Sequence, residues 1–126
     1  MLSITYYDLP YVELFVFPKY MIAQVKDGTV LAPENNDDLN KIAQKHFEGE
    51  DFVYISNRVF EYNVSPMTYI ETSKISNLKG VAIVTNTDIG RKTASFESKF
   101  YTKDFMVVST IEDAINWAVH VLEKYE

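Results

Sequence analysis

The stretch "FMVVSTIEDAINWAVHVLEKYE", Phe105–Glu126, decides the fold. It opens with four apolar residues, Phe105–Val108, too short for a helix and bounded by polar Ser109, which predicts a strand. Ser109 with Glu112 then reads as a capping box, hydroxyl and carboxylate each satisfying an orphan backbone N–H. Behind it Ile111, Ala114, Ile115, Ala118 and Leu122 form a helical stripe, widened by Trp117, Val121 and Tyr125. Asn116, His120, Glu123 and Lys124 fall on the opposite arc. An apolar face this wide requires a sheet beneath it.

Upstream, the same alternation repeats. "GVAIVT" (Gly80–Thr85) and "FVYIS" (Phe52–Ser56) are nearly continuous apolar runs, as expected of strands covered on both faces. A helix is expected from about Asp88, with Ile89, Thr93, Phe96 and Phe100 on one stripe. Another opens at Ser65-Pro66 and carries Met67 and Ile70. From Asn36 the period is again helical, through Leu39, Ile42, Ala43 and Phe47, and Gly49 marks the end. Before it, "YVELFVF" (Tyr11–Phe17) and "YMIAQV" (Tyr20–Val25) flank Pro18-Lys19 as an antiparallel hairpin, with a second turn signal at Asp27-Gly28. A short strand near Ile4–Tyr7 is the weakest element. The expected fold is therefore α/β: a mixed central sheet, an N-terminal antiparallel hairpin followed by βαβα units, about five strands and four helices.

Composition fits one domain, residues 1–126, and the chain of 126 residues has no cysteine, so disulfides and thiolate chemistry are excluded. That composition suits a reducing, cytoplasmic setting. The opening "MLSITYYDLPYVELFVFPKY" lacks a basic leader and is interrupted by Asp8, Pro10 and Glu13, so neither a signal peptide nor a membrane span is expected. A net charge of −6 speaks against nucleic acid and anionic membranes as partners.

With a final strand feeding a helix through "FMVVSTIEDAINWA", the order of elements resembles the STAS-like domains, the bacterial anti-sigma-factor antagonists, and especially a short single-domain branch of bacterial proteins. The residues that carry the resemblance are Ser109, Glu112, Asp113, Ala114, Trp117 and Ala118, and in topology it extends from Val12 onward. It implies a non-catalytic, regulatory protein-interaction module. In the antagonists the strand corresponding to "FVYIS" runs into a tight Asp-Ser turn whose serine is phosphorylated by the partner kinase. Here "SNRVFEYNVSPM" follows Ile55, with no Asp-Ser pair and no glycine, so that switch does not carry over residue by residue.

Ser65 keeps two readings. As an N-cap followed by Pro66 it contributes ~1 kcal/mol through a side-chain bond to the first turn. As a possible phosphorylation site it would place a dianion at the positive helix end. The strand-end edge carries Asn57 and Arg58, then Asn86, Thr87 and Asp88, then Ser109 and Thr110, with Arg91 one turn into its helix. There, helix N-termini and two arginines could hold a phosphate or carboxylate, or could simply be caps and solvated charges. "TDIGRKTAS" is not a phosphate-binding P-loop, because Thr85 stands where its first glycine belongs and Arg91 separates Gly90 from Lys92. His120 and Glu123 share a polar helix arc with no third ligand nearby, so no metal site is expected. No nucleophilic triad is evident either.

Tyr54, Phe60, Tyr62 and Tyr69 flank an irregular loop, which either folds over the sheet edge or presents aromatic rings to a partner. The first functional expectation is a non-enzymatic module, without cofactor, that binds a protein partner or itself as a homodimer through Asn57–Pro66 and the adjacent helix. The alternative is a small-ligand carrier, anionic through Arg58 and Arg91 or apolar through the aromatic loop.

Overall fold

The structure is a computed structural model that describes residues 4–29, 33–60 and 64–126. Its centre is one six-stranded sheet whose spatial order is its chain order. The strands are β1 (Thr5–Asp8), β2 (Val12–Val16), β3 (Tyr20–Val25), β4 (Phe52–Asn57), β5 (Leu78–Val84) and β6 (Asp104–Val108). The helices are α1 (Pro33–Phe47), α2 (Pro66–Thr72), α3 (Asp88–Glu97) and α4 (Ile111–Glu123), with a 3-10 turn at Ser98–Phe100. β1, β2 and β3 pair antiparallel, whereas β3 through β6 are parallel. The weak strand near Ile4–Tyr7 is thus real, and the sheet has six strands. β1 is hard to read because only one of its faces packs: Tyr7 lies against the core while Tyr6 is half exposed.

The alternation of side chains along β4 and β5 explains the two helical layers. Phe52 and Tyr54 of β4, with Leu78, Val81 and Ile83 of β5, face a core shared with Leu39, Ala43 and Phe47 of α1, Tyr69 of α2 and Ala94 of α3. Val53 and Ile55, with Ala82 and Val84, face the other way onto Ala114, Ala118, Val121 and Leu122 of α4. Strands covered on both faces are why these segments read as continuous apolar runs. The rings of Phe47 and Phe52 stack 4.5 Å apart and tie the end of α1 to the start of β4. Gly49, just after α1, adopts φ +75°, the left-handed conformation glycine supplies without strain.

Two capping expectations are corrected. α4 is capped by Thr110, whose hydroxyl accepts from the Asp113 N–H at 3.1 Å, and the expected Ser109–Glu112 box does not form. The helix starts one residue later than the Ser-x-x-Glu pattern suggests, and threonine satisfies the same orphan donor. At α2 the Ser65 hydroxyl makes no capping bond; its backbone carbonyl accepts from the Thr68 N–H at 2.9 Å, and Pro66 supplies the preset backbone angle.

The third correction concerns α3. Its buried residues are Gly90, Ala94 and Glu97. Ile89 and Phe96, expected to face the core, are 64% and 53% exposed. Gly90 gives the reason: a Cβ there would lie 2.0 Å from Thr85 Oγ1 and 2.8 Å from Thr87 Oγ1. The helix lies so close to the end of β5 that only its small-residue face fits, and the larger side chains turn outward.

Candidate functional site

β4 ends at Asn57, whose side-chain amide donates to Gln24 Oε1 at 3.2 Å. The next residue continues the ladder, the Arg58 N–H donating to the Val84 carbonyl at 3.0 Å. The Arg58 side chain then turns inward. Its guanidinium donates to the Glu97 carboxylate and, at 3.1 Å, to the Tyr69 hydroxyl, which itself donates to Glu97 Oε1 at 2.8 Å. The Arg58 and Glu97 side chains are each 4% exposed. This buried triad joins the end of β4 to α2 and α3, satisfying charges that would be costly to bury alone.

The two arginines of the strand-end edge do not converge. Arg58 is held by Glu97, and Arg91 sits on the surface with Asp88 Oδ1 at 2.6 Å. Between the ends of β4, β5 and β6 lies a shallow cleft of about 370 Å³ lined by Asn57, Arg58, Thr85, Asn86, Ser109 and Thr110, among others. Thr87 lies outside it; its hydroxyl accepts from the Gly90 N–H at 2.9 Å and caps α3. Under α1 and α2 a gap of about 50 Å³ is lined mainly by apolar side chains, including Leu39, Phe52 and Leu78. Pockets that enclose small molecules are usually roughly 300–1,000 Å³, so this one has room for little more than water or a small apolar group.

The loop after β4, α2 and α3 each carry exposed apolar residues. Val59 and Phe60 are exposed, as are Met67 and Ile70 of α2 and Ile89 and Phe96 of α3. Ser65 is half-buried between Val64 and α2. Tyr62 lies outside the described residues. Tyr69 and Glu97 were not singled out from the sequence as partners of Arg58. The signal available was the spacing Gly90, Ala94, Glu97, a small-residue face that ends in a carboxylate. Among the described residues no group of His, Cys, Asp and Glu side chains could hold a metal ion, and no helix is long and apolar enough to cross a membrane.

Neither a protein-family model nor a curated protein matches the sequence. Among solved structures, the chain is similar to an uncharacterised protein from the DUF3478 family, with a SpoIIAA-like fold, from Shewanella loihica PV-4. The TM-score is 0.56 at 15% identity, over 93% of each chain. Strand order, the two helical layers and this likeness agree: the chain adopts the SpoIIAA-like, STAS-like fold.

Proposed function

We propose that this protein is a non-enzymatic regulatory module that binds a protein partner through the β4–α2 loop, α2 and α3. The observation that carries the reading is the set of six exposed apolar side chains, Val59, Phe60, Met67, Ile70, Ile89 and Phe96, on elements joined by one buried triad. Exposed apolar surface costs solubility and is commonly kept for contact with another molecule. The triad gives that surface a fixed base, so little ordering is needed on binding. A STAS-like fold agrees with such a role, as a weaker warrant. The cysteine-free composition suits a cytoplasmic site of action. A small-ligand carrier is less well supported, because Arg58 is engaged internally, the gap under α1 and α2 is small and the strand-end cleft is shallow.

The test is capture from a lysate of the source organism with wild type, a Phe60→Ser/Ile70→Ser variant and a Phe96→Ser variant, all checked for unchanged thermal unfolding. A protein held saturably by wild type and released by at least one variant supports the reading. Equal retention by all three, or no saturable partner, refutes it.

A further inference from the structure

The exposed stripe of α3 is more ordered than a scatter of apolar residues. Its exposed apolar residues, Ile89 and Phe96, stand seven residues apart, two helical turns, with half-buried Thr93 between them on the same face, the repeat of a helix that packs on another helix. At the end of that face Phe96 meets Phe100 of the 3-10 turn, which packs against the core, edge to face with 5.3 Å between ring centroids. Lys92 stands one residue before Thr93, and Lys99 follows in the 3-10 turn beside Phe96; charged side chains that flank a helix–helix contact select its partner. Lys99 also reaches over the Phe96 ring, 5.8 Å from its centroid. With Arg91, this short stretch presents three cations against one exposed carboxylate, Asp88, on a chain whose net charge is −6. The other carboxylate of α3, Glu97, is buried beneath and committed to Arg58.

We infer that the outward face of α3 receives an acidic amphipathic helix of a protein partner. The partner's apolar seam covers Ile89 and Phe96, and its flanking Asp or Glu residues meet Lys92 and Lys99. This rests on the protein-interaction reading and names the chemistry of the partner. The fold supports it mechanically, because the contact of Gly90 with Thr85 and the Arg58–Glu97 pair hold α3 by its inner face. A docking helix therefore meets a seam that is already formed.

The probe is a synthetic three-heptad helix with leucine on its seam and glutamate on both flanks, compared with the same peptide carrying lysine flanks. Like-charged flanks keep each peptide from pairing with itself. Amide chemical-shift titration of the full chain should show saturable changes centred on residues 88–100 with the acidic peptide, and binding of the basic peptide about tenfold weaker or more. Phe96→Ser should abolish the acidic peptide's effect. Lys92→Glu/Lys99→Glu should reverse the preference while leaving the unfolding midpoint unchanged. Equal binding of both peptides, shifts centred elsewhere, or no binding at about 1 mM would overturn the inference. So would recruitment to phosphatidylserine vesicles in place of the peptide, or concentration-dependent self-association lost with Phe96→Ser. If a natural partner is released by Phe60→Ser/Ile70→Ser but not by Phe96→Ser, the interaction reading survives and this one falls.

Discussion

Replacing Glu97 by glutamine keeps the shape of the side chain but removes its charge, leaving the Arg58 guanidinium without its carboxylate in a site where both side chains are 4% exposed. Breaking one side of a buried ion pair costs roughly 3–5 kcal/mol, a large share of a total stability that is about 5–15 kcal/mol for a typical domain. Arg58→Met should cost a similar amount by stranding the carboxylate. Tyr69→Phe, which loses bonds of 3.1 and 2.8 Å, should cost about 1–3 kcal/mol. The three effects cannot add, since all act on one network. The triple change Arg58→Met/Tyr69→Phe/Glu97→Leu removes every charge together and should return to within about 2 kcal/mol of wild type. Urea unfolding followed by circular dichroism measures each value, with an unchanged slope as the check on two-state behaviour. Asp88→Ala is the control, because its exposed pair with Arg91 contributes only about 0–1 kcal/mol. If Glu97→Gln costs no more than Asp88→Ala, or the triple change is as damaging as the sum of the singles, the argument that this triad anchors α3 is wrong.

Three further outcomes follow from the packing. Gly90→Ala should lower stability, although alanine ordinarily favours a helix interior by about 1 kcal/mol, because its Cβ would collide with Thr85 Oγ1; a stabilised variant in thermal unfolding would show that α3 can shift. Thr110→Ala should cost ~1 kcal/mol, whereas Ser65→Ala should be nearly neutral, since Ser65 makes no side-chain cap; equal losses in urea unfolding would contradict the assignment. Burial, and secondarily Lys45, lowers the pKa of His46, whose Nε2 lies 2.6 Å from the Tyr7 hydroxyl. The unfolded chain then binds the proton first, so stability should be full above the ordinary histidine pKa of about 6.5 and fall as pH drops through it. His46→Gln should flatten that dependence in midpoint measurements between about pH 5.5 and 7.5.

Strand and helix alternation was legible because burial on both faces writes continuous apolar runs into β4 and β5, and α4 writes its wide stripe. The two-residue Pro18-Lys19 connection was equally plain, since a hairpin this tight leaves few other pairings. The face of α3 was misread for an instructive reason. Periodicity reports which residues are apolar, but close approach selects for small size, and Gly90 and Ala94 give almost no hydrophobic signal. The Arg58–Tyr69–Glu97 triad was invisible for a different reason. Its members lie 11 and 28 residues apart in the chain, so only the crossovers through α2 and α3 bring them together. Arg58 looked like an anion ligand because its local sequence carries no trace of the carboxylate that holds it.

The seat of Trp117 has a spectroscopic consequence. Its indole packs over Gly80, where an added Cβ would stand 2.9 Å from the nearest ring atom, and it is the only tryptophan in the chain. Emission excited near the red edge of protein absorbance therefore reports on a single place, the junction of α4 with β5, and is blind to the opposite layer where α1, α2 and α3 pack. Far-ultraviolet dichroism sees all four helices at once. Comparing the two signals during unfolding separates the layers without a label: coincident curves mean that both faces of the sheet are lost together, and an early red shift means that α4 peels away from a sheet still clothed on its other side.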